Sequence, residues 1–181
     1  TSWVTEVAKI PVWAKMTPNI TNIREPAMAA VAGGAVGISA INTILSVIGV
    51  DLDTLRPMPT VEGHCVPGGY SAQAVRPIAL RMVSQLALGL PENVSISGIG
   101  GIETSHDALE FMLLGSSTVQ ICTGVMLQGV KMIDELKEGV EKFMVDKGFS
   151  SVEEIVGKGL SYFSTHMDLV EKMKAGKSSK A

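Results

Sequence analysis

Short apolar runs alternate along the chain with segments whose apolar residues recur at helical spacing. The runs have the length and the nearly unbroken hydrophobicity of strands buried in a parallel sheet, and they cover residues 10–16, 36–41, 94–97 and 118–122. The intervening pattern places apolar residues three and four positions apart, which predicts helices over residues 23–32, 74–88, 104–114 and around 130–144. Thr104, with Asp107 three residues on, resembles a capping box at the start of the third helix. Four strand–helix units therefore follow one another.

This order predicts an α/β fold in which helices cover a parallel sheet. Two architectures fit the units, a doubly wound sheet and part of an eight-unit (β/α)8 barrel. A complete barrel takes about 250 residues, whereas the chain has 181. Residues 1–8 have helical spacing without a preceding cap and resemble the tail of a helix. We therefore expect the C-terminal half of a TIM (β/α)8 barrel, with four βα units, whose partner is a missing N-terminal half-barrel.

The chain divides into three predicted regions. Residues 1–147 contain the four units and form the second half of the barrel. Residues 148–170 follow the long helix and are expected to form a C-terminal helical extension. Residues 171–181 are rich in lysine and serine, which predicts a flexible basic tail.

Composition excludes several classes of protein. A chain with 46% hydrophobic and 18% charged residues is expected to fold. Its apolar runs stay shorter than the roughly 18 residues of a membrane helix, so we expect no membrane span. The net charge of −3 and the lack of a strongly basic stretch argue against a nucleic-acid partner. Two cysteines, and histidines without ligand spacing, predict no metal site and a reducing compartment.

Polar and glycine residues follow each predicted strand. They are Lys15, Asn42 with Thr43, Gly100 with Gly101, and Cys122 with Thr123. In a barrel these four ends open onto one face, where active sites are built. Glycine lets backbone N–H groups approach an anion, and a phosphate site often lies after the last two strands. Ordinary tight turns are also rich in glycine, so each loop alone fits both interpretations.

Lys15 and Asn42 each allow two interpretations. Burying the ammonium of Lys15 at the end of an apolar strand is costly unless an anion receives it. The side chain can instead extend to solvent. The amide of Asn42 can donate and accept hydrogen bonds at the edge of a planar ring, or it can cap a turn.

The remaining candidates are weaker indications of a functional site. Residues 51–71 form a long polar connection, and a loop of that length in a compact domain is usually functional. His64 and Cys65 lie in this connection and could suggest a nucleophile pair. Adjacent side chains seldom face each other, however, so the favoured interpretation is that both lie on a surface loop. Cys122 fits a small packing residue better than a nucleophile.

Longer strings of residues surround these strand ends. The strings are PVWAKMTPNI at 11–20, SAINT at 39–43, PGGYS at 67–71, AVRPIAL at 74–80, SGIGGIE at 97–103 and VQICTGV at 119–125. They resemble the dihydropyrimidine dehydrogenase family, within the dihydroorotate dehydrogenase superfamily, and the match covers roughly residues 1–170. Residues 162–170 are most similar to the plant and algal branch of stand-alone plastid enzymes.

The resemblance implies a barrel that binds FMN and reduces uracil and thymine with NADPH. Hydride would pass from flavin N5 to pyrimidine C6 while an acid protonates C5. By matching positions, Lys15 stands beside the flavin ring, where a cation stabilises negative charge on the reduced flavin. Asn42 and Thr43 match residues that hold the pyrimidine. The FMN phosphate cradle corresponds to Gly100, Gly101, Ile102, Cys122 and Thr123. A homo-oligomer is expected, in the plastid stroma for the plant and algal type and otherwise in the cytoplasm.

Two departures from the family pattern matter. Ala72 stands where the family has a glycine that contacts FMN, although the plant branch also lacks that glycine. The family's acid is a cysteine on a loop of the first half-barrel, which neither Cys65 nor Cys122 matches. We therefore assign no catalytic residue and expect this segment alone to be inactive. Two alternatives remain: a dihydroorotate dehydrogenase-like flavin oxidoreductase, and an inactive barrel remnant that serves as a structural subunit.

Overall fold

The computed structural model describes residues 1–178. Its helices and strands are, in chain order, α1 Ser2–Val7, β1 Trp13–Met16, α2 Arg24–Ala32, β2 Gly37–Ala40, β3 Ile44–Ser46, β4 Gly49–Asp51, β5 Arg56–Met58, β6 Gly68–Tyr70, α3 Arg76–Ala87, β7 Ser95–Ile99, α4 Ser105–Leu113, β8 Thr118–Gln120, α5 Thr123–Gln128, α6 Met132–Lys147 and α7 His166–Ser178. Within these residues no helix combines the length and the apolar character needed to cross a bilayer.

The main sheet has four parallel strands in the order β1, β2, β7, β8. Helices connect the strands, which confirms the predicted α/β class and its four βα units. The spatial order follows the chain order, as it does in a barrel, whereas the strand order of a doubly wound sheet reverses at a switch point. The structure therefore favours the barrel of the two predicted architectures.

Only one face of this sheet is packed against helices. Ile38 and Ile96 belong to the hydrophobic core, and they share it with Ala79, Met82 and other residues of α3. Side chains alternate along a strand, so the neighbouring residues point to the opposite face. On that face the strand register aligns Lys15, Ser39, Ser97 and Thr118 in one row. The few polar residues of the predicted apolar strands therefore lie together on one face of the sheet.

The connection over residues 51–71 is more structured than its sequence predicts. Strand β3, just before the connection, pairs with β6 at its end, and β4 pairs with β5 near its start, both antiparallel. Asp51 closes a turn in it, since its Oδ1 atom accepts hydrogen bonds from the backbone N–H groups of Asp53 and Thr54, both at 2.9 Å. These bonds, that of Thr54 above all, lower the pKa of Asp51 below its usual 3.8.

Helix α4 begins at the predicted cap. The Thr104 hydroxyl accepts from the Asp107 backbone N–H, and the Asp107 carboxylate accepts from the Thr104 backbone N–H. This reciprocal arrangement satisfies donors that the helix leaves free at its start.

Helix α7, His166–Ser178, crosses residue 171, where the predicted tail begins. Residues 148–165, at the start of the expected extension, contain two short 3₁₀ turns, Val152–Glu154 and Leu160–Tyr162. The last part of the predicted tail, residues 179–181, lies outside the described residues.

Candidate functional site

A cleft of about 170 Å³ opens at the carboxyl ends of the four parallel strands. Its walls include all eight residues assigned from the sequence to cofactor or substrate binding: Lys15, Asn42, Thr43, Gly100, Gly101, Ile102, Cys122 and Thr123. They come from the loops after β1, β2, β7 and β8 or from the strand ends themselves. The parallel sheet brings them together because all of its strands end at the same edge.

Two glycines shape one wall of the cleft. Gly100 has φ +141° and Gly101 has φ +73°, a region of backbone conformation that favours glycine. A Cβ atom on Gly101 would lie 2.6 Å from the carbonyl oxygen of Ala72. On Gly100 it would lie 2.8 Å from the Cβ of Ala79. Both positions therefore require glycine on grounds of space as well as conformation.

The same loop presents backbone donors. The N–H groups of Gly100, Gly101 and Ile102 have no hydrogen-bond acceptor within residues 1–178. Ile102 is only 2% exposed, so its N–H group is a costly one to leave unpaired. Successive unpaired N–H groups of this kind suit an anionic ligand.

An ion pair beneath the loop fixes its position. Asp107 is 1% exposed and pairs with Arg76, the first residue of α3. Its Oδ2 atom also accepts from the backbone N–H groups of Glu103 and Thr104, at 3.0 and 2.9 Å. The segment that follows Ile102 is thereby tied to two helices at once.

Lys15 is exposed, so the cost of burying its ammonium does not arise. It forms no ion pair within the described part of the chain. Of the two interpretations open from the sequence, the structure agrees with the one in which Lys15 extends from the strand end to solvent. The residue also lines the cleft.

Asn42 caps a turn and also lines the cleft. Its Oδ1 atom accepts from the backbone N–H of Thr43 at 2.8 Å, which is a turn-capping bond. Its Nδ2 group has no acceptor within residues 1–178 and belongs to a residue that lines the cleft. The carbonyl of Thr43 accepts from Asn19 Nδ2 at 3.1 Å, which steadies this strand end.

The cleft also contains residues that the sequence did not single out. Gln120 lines it from the end of β8, and Glu103 lines it beside the glycine loop. The Glu103 carboxylate accepts from Gln73 Nε2 at 3.0 Å. Ser71 lies 3.4 Å from Thr123, hydroxyl to hydroxyl, which links two walls. A polar residue inside an otherwise apolar strand was the signal that could have identified Gln120.

Other clusters lie away from the cleft. His64 and Cys65 are absent from its lining. His106, Asp107 and Glu110 place possible ligand atoms within 4.8 Å of one another. The Asp107 carboxylate is, however, already paired with Arg76 and hydrogen-bonded to the start of α4. These contacts compete with any role for it as a metal ligand.

Comparison with known proteins identifies the family. Residues 1–144 match the sequence model described as dihydroorotate dehydrogenase. The chain is 53% identical over 176 residues to the chloroplastic dihydropyrimidine dehydrogenase (NADP(+)) of Arabidopsis thaliana, which is 95% of this chain and 41% of that protein.

Two further relatives show the same relationship. The NAD-dependent dihydropyrimidine dehydrogenase subunit PreA of Escherichia coli K12 is 47% identical over 150 residues, 82% of this chain and 36% of that protein. The catalytic subunit of dihydroorotate dehydrogenase B (NAD(+)) of Pyrococcus abyssi is 45% identical over 157 residues, 87% of this chain and 50% of that protein. The chain thus spans half or less of the length of these relatives.

These matches confirm the predicted resemblance and the partial barrel. The family match covers most of the chain, including all four strands of the parallel sheet and the cleft at their carboxyl ends. The chain therefore belongs to the dihydroorotate dehydrogenase family.

Proposed function

We propose that the full-length protein containing this chain is an FMN-dependent oxidoreductase that reduces uracil and thymine to 5,6-dihydropyrimidines with NADPH, the first step of pyrimidine catabolism. The observation that carries the proposal is the convergence of eight predicted site residues, from four strand ends, on one cleft. The 53% identity to a dihydropyrimidine dehydrogenase (NADP(+)) supports the choice of substrate and electron donor.

The glycine loop fits the phosphate of FMN. The unpaired N–H groups of Gly100, Gly101 and Ile102 would donate to its oxygens. Thr123 and Cys122 complete the cradle from the neighbouring strand. The Glu103 carboxylate is engaged by Gln73, which lessens its repulsion of an anion.

Lys15 would act on the ring of the cofactor. When bound, FMN supplies hydride transfer at its N5 atom. Lys15 is exposed in the cleft wall and free of ion pairs within residues 1–178, so its ammonium can offset negative charge on a ring placed there.

Asn42 and Thr43 would orient the pyrimidine. The free Nδ2 group of Asn42 can donate to a ring carbonyl, while its Oδ1 atom stays on the Thr43 backbone and holds the amide plane. The proton for C5 would come from an acid outside this chain. Cys65 is not among the residues that line the cleft, and we assign Cys122 to the cradle.

The wider setting belongs to the same proposal. The residues that complete the barrel would come from an N-terminal half-barrel, and we expect the assembled enzyme to be a homo-oligomer. Residues 1–147 would be the second half of the barrel, and residues 148–170 an extension of it. The chloroplastic relative supports a location in the plastid stroma.

The test starts with the absorption spectrum of the purified full-length protein and the mass of any cofactor it releases. FMN with NADPH-dependent reduction of uracil would support the proposal. FMN with turnover of dihydroorotate alone would support the second candidate, which the 45% identity to a dihydroorotate dehydrogenase B catalytic subunit favours. Intact protein without flavin would overturn both and favour an inactive structural subunit.

A further inference from the structure

Gln120 occupies an unusual position on the polar face of the main sheet. It follows Thr118 by two residues, so its side chain lies on the same face as Thr118, Ser97 and Ser39. The cleft reaches this face at its carboxyl edge, where Gln120 and Lys15 both line it.

The Gln120 amide connects two strands that are not neighbours. Its Nε2 group donates to Ser97 Oγ at 2.9 Å and to Ser39 Oγ at 3.0 Å. Ser97 is on β7, next to β8, but Ser39 is on β2, on the far side of β7. One side chain thus reaches from β8 across β7 to β2.

The two serines are well placed to hold the amide. Ser39 is 4% exposed and Ser97 is 2% exposed, so their hydroxyl groups are costly to leave unpaired. Ser97 also receives a hydrogen bond from Thr118 Oγ1 at 2.9 Å. Both hydrogens of the Gln120 amide nitrogen are therefore committed, and the amide plane is fixed.

The strands joined in this way end in the two parts of the proposed site. Strand β8 leads into Cys122 and Thr123, which we assigned to the cofactor cradle. Strand β2 leads into Asn42 and Thr43, which we assigned to the pyrimidine. The distance between these two loops sets the distance between a cofactor held by one and a substrate held by the other.

We propose that Gln120 is a positioning residue that sets this spacing through its bonds to Ser39 and Ser97. The inference rests on the proposed function, because it concerns how FMN and a pyrimidine are held together. It adds that a residue on the polar face of the sheet couples the loop after β2 to the loop after β8. Loss of the amide should therefore weaken binding of both molecules, whereas a defect in one loop weakens one of them.

The test uses Gln120→Met in the full-length protein, because methionine retains the length of the side chain and removes the amide. Two hydrogen bonds of ordinary strength correspond to a change of about tenfold. We expect the dissociation constant of FMN from the apoprotein and the KM for uracil each to rise about tenfold. The kcat should change less, since no reacting atom is touched.

Three variants separate positioning from a general loss of structure. Gln85→Met, on the helical side of the sheet, should leave both constants unchanged. Thr123→Val should raise only the FMN constant. The double variant Gln120→Met with Ser39→Ala should bind no more weakly than Gln120→Met alone, since both changes remove the same contact.

The outcomes distinguish the inference from the function it rests on. If the wild-type protein binds FMN and reduces uracil while Gln120→Met has wild-type constants, the inference is wrong and the function stands. If the wild-type protein binds no FMN, both are wrong. Where Gln120→Met fails to fold, Ser39→Ala removes one of the two bonds, and unchanged constants in that variant also overturn the inference.

Discussion

The carbonyl oxygen of Ala72 lies 2.6 Å from the point that a Cβ atom would occupy on Gly101. The loop before α3 therefore packs directly against the loop after β7, and their contact forms one wall of the cleft. Backbone lies against backbone here, so neither side can yield as a flexible side chain would. The contact makes Gly101 a sensitive position even before any ligand is considered.

Gly101→Ala should destabilise the protein by roughly 2–4 kcal/mol, the sum of a forced contact and a left-handed backbone. Gly148→Ala is the matched control, because Gly148 also has φ +73° but a Cβ atom there would meet nothing within 4 Å. It should cost only about 1 kcal/mol, from conformation alone. Urea unfolding of both variants measures the difference, and equal losses would show that the Ala72 contact is unimportant.

Ala72→Gly should stabilise the protein. Ala72 has φ +68° and ψ −160°, a region that is essentially reserved for glycine and costs about 1–3 kcal/mol. Glycine removes this strain and loses about 0.5–1 kcal/mol in chain entropy, so a net gain of about 1 kcal/mol is expected. Ala74→Gly, in the 3₁₀ turn two residues later, should destabilise instead. Thermal unfolding measures the direction of each change in stability. A lower stability of Ala72→Gly than of the wild type would contradict the expectation.

Asp107→Asn should destabilise the protein by about 1–3 kcal/mol, because the buried side chain loses the charge that pairs with the Arg76 guanidinium, which is itself 29% exposed. Glu110→Gln is the control on the same helix. Its carboxylate also lies near Arg76, at 3.6 Å, but is 33% exposed, so the loss should stay below about 1 kcal/mol. Chemical denaturation tests the contrast. Similar losses in the two variants would mean that burial does not set the strength of this pair.

Lys15→Met should lower the reduction potential of bound FMN, by an amount on the order of tens of millivolts, since a cation that favours the reduced ring is removed. Stability should change by less than about 0.5 kcal/mol because the side chain is exposed. Lys9→Met changes an exposed lysine outside the cleft and should leave the potential unaltered. A potential that is the same in all three proteins would remove Lys15 from the proposed site.

The turn at Asp51 should loosen in acid. Hydrogen bonds from the backbone N–H groups of Thr54 and Asp53 lower the pKa of Asp51 in the folded protein below 3.8. Its contribution to stability is therefore complete above pH 3.8 and is lost as the pH falls through the lower folded value. A carboxyl titration by NMR should show the lowered pKa. In Asp51→Asn, the free energy of unfolding should no longer show this part of its decrease in acid. The same decrease in the variant as in the wild type would contradict the assignment to Asp51.

Local signals predicted much of the fold because they depend on neighbouring residues. The capping box at Thr104 and Asp107 spans three positions and is confirmed. The alternation of apolar runs and helical spacing predicted the four parallel strands, since each element must bury one side of itself. The glycine pair after β7 was found for the same reason, as it directly follows a strand.

The polar face of the sheet was not predictable in this way. Gln120 and Ser39 are 81 positions apart, and Gln120 and Ser97 are 23 apart. A hydrophobic pattern indicates that a residue faces a core, but it does not indicate which distant polar group it will meet. The pairing of Arg76 with Asp107 and the strand pairs within residues 44–70 escaped prediction for the same reason.

By itself, the sequence determined the α/β class, the order of the units and the residues at the strand ends, because hydrophobic period and turn chemistry are properties of short segments. Only the tertiary structure decided that those ends line one cleft, that Ala72 adopts a left-handed backbone against Gly101, and that Gln120 joins β8 to β2. Those features arise where distant segments pack together, and their geometry is set by contacts that no local pattern specifies.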